Sequence, residues 1–403
     1  MIKTNRRLRN TKDILRNLFA YIFSLFGVLI LLFILIFIIG YGSKVLSLKF
    51  ITSDYNIKTD TLTLDYKASN NTFKDPEIDG VYFVSNFGIG LSDSYDNNKE
   101  EIVIISYIDN ASPLNNMKNL SDSSYYSVSI GLSIDNLILS NDTEMILAFA
   151  KDGAEKMAKN ISKANEIESL TISTLGGGIR GSLISTLLMI VLTLLFALPL
   201  GIGSSIFLSF FAKNIRVKNS LISLIDLAGG IPSIIYGLAG AIIFVPLLNS
   251  IGLTNGSSLL SGSLTLSLLL LPTIIKTTNE AIKTVPSTYQ SASLALGASN
   301  TQTIFKIMIP NALPGILTAV LLSVGRIIGE SAALIYAVGS AIKDKIIITE
   351  SSATLATHIW SLCAGENPNY EASSAVAIII LAVDLILNLT VKLISYKFIK
   401  NKE

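Results

Sequence analysis

Residues 276–330 read KTTNEAIKTVPSTYQSASLALGASNTQTIFKIMIPNALPGILTAVLLSVGRIIGE. The stretch leaves one apolar segment, crosses a polar, helix-prone region and enters a second apolar segment. Residues 289–296 predict a short helix with Gly297 as its stop, because glycine readily takes the left-handed conformation that ends many helices. Residues 301–309 predict a second helix, after which Pro310 and Pro314 shape the return into the apolar segment. A helix–turn–helix held outside a bilayer between two spans is a docking element, and it carries no catalytic groups of its own.

The rest of the chain places this element in a membrane protein. Half of the 403 residues are hydrophobic and only 15% are charged, which a soluble domain rarely shows. One cysteine, Cys363, excludes an internal disulfide framework, and one histidine, His358, argues against a histidine-based metal site. The formal charge of +2 hides an asymmetry. Residues 44–168 hold 11 Lys against 19 Asp or Glu, about −8, while the remainder is about +10. An acidic insert thus interrupts a membrane part with basic flanks.

Residues 1–17 form a basic tail and residues 18–42 a first span, apolar throughout from 18 to 39. No small-residue cleavage site follows, so a retained helix is expected rather than a signal peptide, with its N-terminus in the cytoplasm. Residues 43–174 read as a separate extracytoplasmic α+β domain. Short β-branched or alternating runs at 81–84, 102–107, 127–132, 137–139 and 170–172 predict strands. Asp142 is the expected cap of an amphipathic helix over 144–161. Residues 175–403 supply the remaining spans: 175–208, 221–245 with a break at Gly229–Ser233, 259–275, 317–338 and 375–394. The triple glycine Gly176–Gly178 lacks the Gly-Lys-Ser/Thr ending of a phosphate loop. With the N-terminus inside, the basic segments at 213–218 and 276–306 and the basic C-terminal tail all fall in the cytoplasm, as the positive-inside rule requires.

Within the spans, Arg326 and Glu330 stand out. Four residues apart, they are expected on one helix face, about 6 Å apart along the axis. Ionisable groups at such depth usually face a cavity or each other. Arginine suits an oxyanion, offering a fork of donors and a charge that does not titrate away. Arg326 is therefore the candidate substrate contact, with Glu330 orienting it. Arg326 is also expected to be the one basic residue well inside a span, Lys276 lying at a span end. Asp226 is expected to reach the interface. Asp384 with Asn388 reads as an inter-helix contact, and His358 with Trp360 as an external re-entrant or interfacial stretch.

Two resemblances bear on function. Ser291, Ala292, Gly297, Ile307 and Pro310 stand at the spacing of the coupling loop of ABC importer permeases, written Glu-Ala-Ala, three residues, Gly, nine residues, Ile, one residue, Leu-Pro. Here Ser291 replaces Glu, Ser293 the second Ala and Ile309 the Leu, which puts one polar contact to the ATPase in doubt. From about residue 175 onward the chain resembles the PstA-type permeases of phosphate-specific ABC importers. The pieces are ALPLGIGSSIFLS, GGIPSIIYGL, LPTIIKTTNEAIKTVP, ASLALGAS, TQTIFKIMIPNALPGILT and GRIIGESAALIYAVG. The large insert departs from that family. It carries a weaker, PDZ-like pattern, in which Gly88, Ile89, Gly90 and Leu91 would form a loop receiving a peptide carboxylate.

The resemblance implies a membrane all-α fold: six transmembrane helices of the type I ABC importer permease, with the insert added. It implies a non-enzymatic subunit in the cell membrane that passes inorganic phosphate. A coupling loop at 276–312 would dock on a PstB-type ATPase dimer, which would hold the ATP and magnesium. This chain would hold no cofactor and no metal, and would bind no nucleic acid. A second permease of the PstC type and an extracytoplasmic PstS-type phosphate-binding protein complete the implied assembly. Two other readings stay open: a permease for another oxyanion, and a membrane-anchored extracytoplasmic sensor, which would have no need of an ATPase dock.

Overall fold

The computed structural model describes residues 2–68, 73–95, 101–141, 143–364 and 368–400. The chain forms two compact units: residues 49–180, and residues 1–48 together with 181–403. Helix α1 (Ile2–Gly42) opens the chain. Its apolar stretch is largely exposed from Leu18 to Tyr41, and it packs on α13 (Tyr370–Lys400), most closely at Gly42, where a side chain would collide with the backbone at Ser374 and Ala375.

The insert begins at α2 (Leu48–Thr52) and is built on one antiparallel sheet. Its strands are β1 (Thr59–Thr63), β2 (Tyr82–Val84), β3 (Ile89–Tyr95), β4 (Glu101–Ile108), β5 (Met117–Asn119), β6 (Tyr125–Tyr126), β7 (Ser133–Ser140), β8 (Met145–Phe149) and β9 (Glu166–Ser173). They run in the order β2-β3-β4-β7-β9-β1-β5-β6, and β8 shares with β4 one edge of β7. Helix α3 (Ala154–Ser162) turns Ala154, Met157, Ala158 and Ile161 inward at helical spacing. They meet Val103, Ile105, Leu137, Leu139, Leu170 and Ile172 in the core. Each large side chain so buried contributes about 1.5–3 kcal/mol.

Three local expectations fail here. Residues 145–149 are a strand, because pairing with β7 along its whole length outweighs their helical periodicity. The helix starts only after Gly153, whose φ of +83° reverses the chain, and the Asp93 carboxylate accepts the Ala154 N–H at 2.7 Å. The expected cap Asp142 lies outside the described residues. Residues 127–132 are a connection with a turn at Gly131 (φ +87°), and the strand follows it. The run Gly88, Ile89, Gly90, Leu91 is not an open loop. Gly88 closes a turn, and Ile89, Gly90 and Leu91 are paired on one side with β2 and on the other with β4. Their backbone groups are committed to the sheet, so no peptide strand can add there.

The membrane part continues with α4 (Arg180–Ile206), α5 (Ile215–Gly229), α6 (Ser233–Ser250), α7 (Leu259–Thr284), α8 (Ser287–Ala295), α9 (Asn300–Thr303), α10 (Ile309–Gly329), α11 (Ala332–Ala337), α12 (Leu355–Cys363) and α13 (Tyr370–Lys400). Six helical stretches are long and apolar enough to cross a membrane: Arg16–Gly42, Arg180–Phe211, Ser233–Ser250, Leu259–Thr284, Asn300–Gly329 and Tyr370–Lys397. The axis of the bundle is α7, the most buried of them. Small residues let neighbours approach it: Gly201 lies against Ile274, Gly240 against Thr265 and Gly315 against Ala281.

Three span boundaries move. The third span is α6 alone, because Gly229–Pro232 ends α5 completely and Pro232 precedes a new helix. The fourth does not stop at Ile275 but runs on to Thr284. The fifth ends at Gly329, where Glu330 takes an extended conformation (φ −79°, ψ 121°).

Candidate functional site

The hairpin between the fourth and fifth apolar helices forms much as its sequence suggests and then differs at its exit. Helix α8 stops at Gly297, whose φ of +85° is the left-handed conformation that a side chain resists. Ser299 and Gln302 cap the next helix reciprocally, at 3.2 and 2.9 Å. Ser293 and Thr303 share a hydroxyl hydrogen bond of 2.9 Å, which ties the two arms together. Ser293 is a departure from the coupling-loop pattern, and it supplies this tie. Ser291 is exposed and donates to the Ser287 carbonyl at 3.2 Å. Ala292 lies in the same helix and Ile307 is half-buried.

Pro310 does not break the chain. The turn before it, Ile304–Met308, is wound as a π-helix, and the Asn311 amide donates to the Ile307 carbonyl at 2.7 Å. A missing proline N–H is absorbed in such a wider turn. Helix therefore runs without a gap from Asn300 to Gly329, 30 residues or about 45 Å. The hairpin leaves apolar side chains uncovered: Leu296 is 89% exposed, Phe305 56% and Tyr289 49%.

At the other end of that continuous helix stands Arg326, in the last turn of α10. A cation at a helix C-terminus faces the negative end of the helix dipole. Its Nη1 donates to Thr273 Oγ1 on α7 at 3.4 Å. The expected pairing with Glu330 on one helix face is not formed, because the helix has already ended. Glu330 instead accepts the Ala333 N–H at 3.1 Å and so opens α11. Gly237 of α6 lies so close to the Ala333 backbone that a side chain would collide with it, which holds the break in place.

A second charged contact was not foreseen. Lys276 Nζ meets Asp226 Oδ1 at 2.6 Å, joining α7 to α5. With α7 extended to Thr284, Lys276 stands inside the helix rather than at its end. The omitted clue was the polar stripe Thr273, Lys276, Thr277 and Glu280, which continues the helical period past Ile275. Tyr236 adds a clasp across the Gly229–Pro232 break, its hydroxyl donating to the Ala228 carbonyl at 2.8 Å. Asp384 accepts from Asn388 at 3.0 Å on α13, and its other carboxylate oxygen lies beside Gly325. His358 is buried, on the short helix α12. Its Nδ1 shares a 2.8 Å hydrogen bond with Ser182 of α4, and burial lowers its pKa to about 4. Trp360, two residues on, is 45% exposed. Among the described residues no cluster of His, Cys, Asp or Glu could hold a metal ion.

The site is thus a helical hairpin with an uncovered apolar tip, joined by one helix to a half-buried guanidinium inside a bundle of membrane helices. Such an arrangement can dock a partner and carry its movement to an anion contact.

Comparison with known proteins agrees with this geometry. Residues 197–400 match the family model described as "Binding-protein-dependent transport system inner membrane component". The probable ABC transporter permease protein YqgI of Bacillus subtilis is 32% identical, over 54% of this chain and 77% of that protein. A "Phosphate transport system permease protein PstA homolog" of Mycoplasma pneumoniae is 32% identical over 60% of this chain, though over only 38% of its own length. PstA of Mycobacterium leprae is 34% identical over 40% of this chain and 52% of its own. Among solved structures, an inward-facing MetNI methionine ABC transporter chain aligns with 55% of this chain and 94% of its own, at 20% identity and a TM-score of 0.44. With half of its length matched by the family model, and with six helical stretches long and apolar enough to cross a membrane, this chain belongs to the binding-protein-dependent transport system inner membrane components.

Proposed function

We infer that this chain is the PstA-type subunit of an ATP-driven importer and passes inorganic phosphate across the cell membrane at Arg326. The phosphate assignment is supported by the names of the Mycoplasma and Mycobacterium relatives and by the chemistry of a half-buried guanidinium. The observation that carries the coupling is the single helix from Asn300 to Gly329. A displacement of the hairpin at one end is delivered to Arg326 at the other along one continuous helical path.

In this reading the hairpin, with Ser291, Ala292, Gly297, Ile307 and Pro310, docks on a PstB-type ATPase dimer through the uncovered Leu296 and Phe305. ATP and magnesium belong to that dimer. A PstC-type permease covers the open faces of the bundle, and an extracytoplasmic PstS-type protein delivers phosphate. Both termini are cytoplasmic and the insert is outside, following the basic segments. Glu330 acts by fixing the chain break next to Arg326. Labelled phosphate uptake by a strain lacking this chain, with and without re-expression, tests the reading. Restored uptake supports it. Unchanged uptake in both strains overturns it, and restored uptake of sulfate alone reassigns the anion.

A further inference from the structure

We propose that Lys276 is a second oxyanion ligand of the path, and that Asp226 is the carboxylate that holds it while the path is empty. The proposal rests on the reading of Arg326 as the phosphate contact. Lys276 lies three residues, about 4.5 Å along the helix, from Thr273 and on the same face of α7. Thr273 is the residue that Arg326 reaches from α10. Cations from two helices therefore converge on one stretch of α7.

Lys276 stands well within α7, because residues 277–284 continue the helix beyond it for two further turns, about 12 Å. It has both features of an occupied but open site: its ammonium is paired at 2.6 Å, yet its side chain is 44% exposed and that of Asp226 56%. A pair this accessible is loosely held and open to exchange. A carboxylate is also the natural stand-in for a phosphate oxygen, being an anion that accepts from the same ammonium. A phosphate has oxygens enough to take the fork of Arg326 and the ammonium of Lys276 together.

The surroundings of Asp226 agree with its being displaceable. Helix α5 has no buried residue among those described. An apolar cleft of about 510 Å³, lined by Gly203, Phe207, Leu221, Ile225 and Ile275, separates it from α4 and α7 beside the pair. Asp226 also sits one turn before the Gly229–Pro232 break, so α5 ends close to it. When phosphate takes Lys276, Asp226 is released and α5 loses one of its ties to α7.

The rival is that the pair only staples α5 to α7, and the two accounts predict opposite signs. The measurement is ATP-driven uptake of labelled phosphate in membrane vesicles carrying the whole transporter, per assembled complex. As a ligand, Lys276→Gln raises KM at least tenfold, Lys276→Arg keeps most uptake, and Asp226→Asn lowers KM several-fold by removing the competitor. The exchanged pair Asp226→Lys/Lys276→Asp rebuilds the staple with the ammonium on the wrong helix, and uptake stays low. If Lys276→Gln and Asp226→Asn change KM in the same direction, or the exchanged pair recovers uptake, the proposal is overturned and the staple stands. Those results leave the functional reading intact. A wild-type complex that takes up no phosphate overturns that reading, and this proposal with it.

Discussion

The insert and the membrane part bury their apolar residues in different ways. In the insert, α3 and the sheet turn Met157, Ile161, Ile89, Leu91, Ile105 and Leu170 fully inward, all at 0% exposure. In the membrane part, only α7 is mostly enclosed, while the apolar stretch of α1 is buried nowhere and that of α13 for barely a fifth. The insert completes its own core. The membrane part leaves apolar faces open to lipid and partners, and within them a few charges whose surroundings decide what they do. The difference teaches where to look for each role: substitutions in the insert's interior should read out as stability, and those at the half-exposed polar residues of the bundle as transport.

The largest effect expected from that contrast lies in the hairpin. Gly297→Glu forces a side chain onto a φ of +85° and misplaces the dock. Uptake should fall at least a hundredfold while the protein still reaches the membrane; uptake near wild type would dissolve the distinction between a packing and a coupling element. In the insert, Met157→Ala or Ile161→Ala should cost about 2–5 kcal/mol of folding stability. Residues 49–180, excised, should unfold cooperatively, and thermal melts of the fragment and its variants read both. A fragment without a cooperative transition would mean that the insert leans on the rest of the chain.

The arrangement was legible in the sequence wherever one local rule acted alone. Gly297 ends its helix because a left-handed residue is needed there, and the six apolar stretches span because of their length. The misreadings fall where two effects compete. Residues 145–149 repeat at a helical period, yet the edge of β7 from Asn136 to Ser140 was available to all five of them. Arg326 and Glu330 are spaced for one face of a helix, but Glu330 finds the Ala333 N–H to accept and α10 stops. The partnership of Lys276 with Asp226 depends on α5 and α7 meeting in space, which spacing along the chain does not encode.

Smaller effects separate the two regions by pH. His358 in the membrane part has its pKa lowered to about 4 by burial. Unfolding lets it bind a proton between its ordinary value of about 6.5 and that value, so stability is full above pH 6.5 and declines as pH falls toward 4. Asp54 in the insert is held below its ordinary 3.8, first by its hydrogen bond with Lys58 and then by the charges of Arg180 and Lys58. Its contribution is present above 3.8 and is lost only as pH falls below that value. Melting the full chain and the fragment across pH 3–7 should show the membrane part weakening first, and His358→Gln should flatten that decline. A fragment that weakens already at pH 6 would reverse the ordering. Smallest of all, Glu330→Gln keeps an acceptor for the Ala333 N–H and should lower uptake only a few-fold, whereas Glu330→Ala removes the cap and should cost more.

The central claim is that a helix running from the dock delivers movement to an anion contact at Arg326. It is tested most directly by phosphate uptake in vesicles, per assembled complex, for Arg326→Lys, Arg326→Gln and Arg326→Gln/Glu330→Gln. Lysine keeps the charge but not the fork, so partial uptake is expected. Glutamine should abolish uptake, and the double variant should do no better, because Glu330 serves α11 rather than Arg326. Recovery of transport in the double variant would contradict the account and return Arg326 to a structural charge pair.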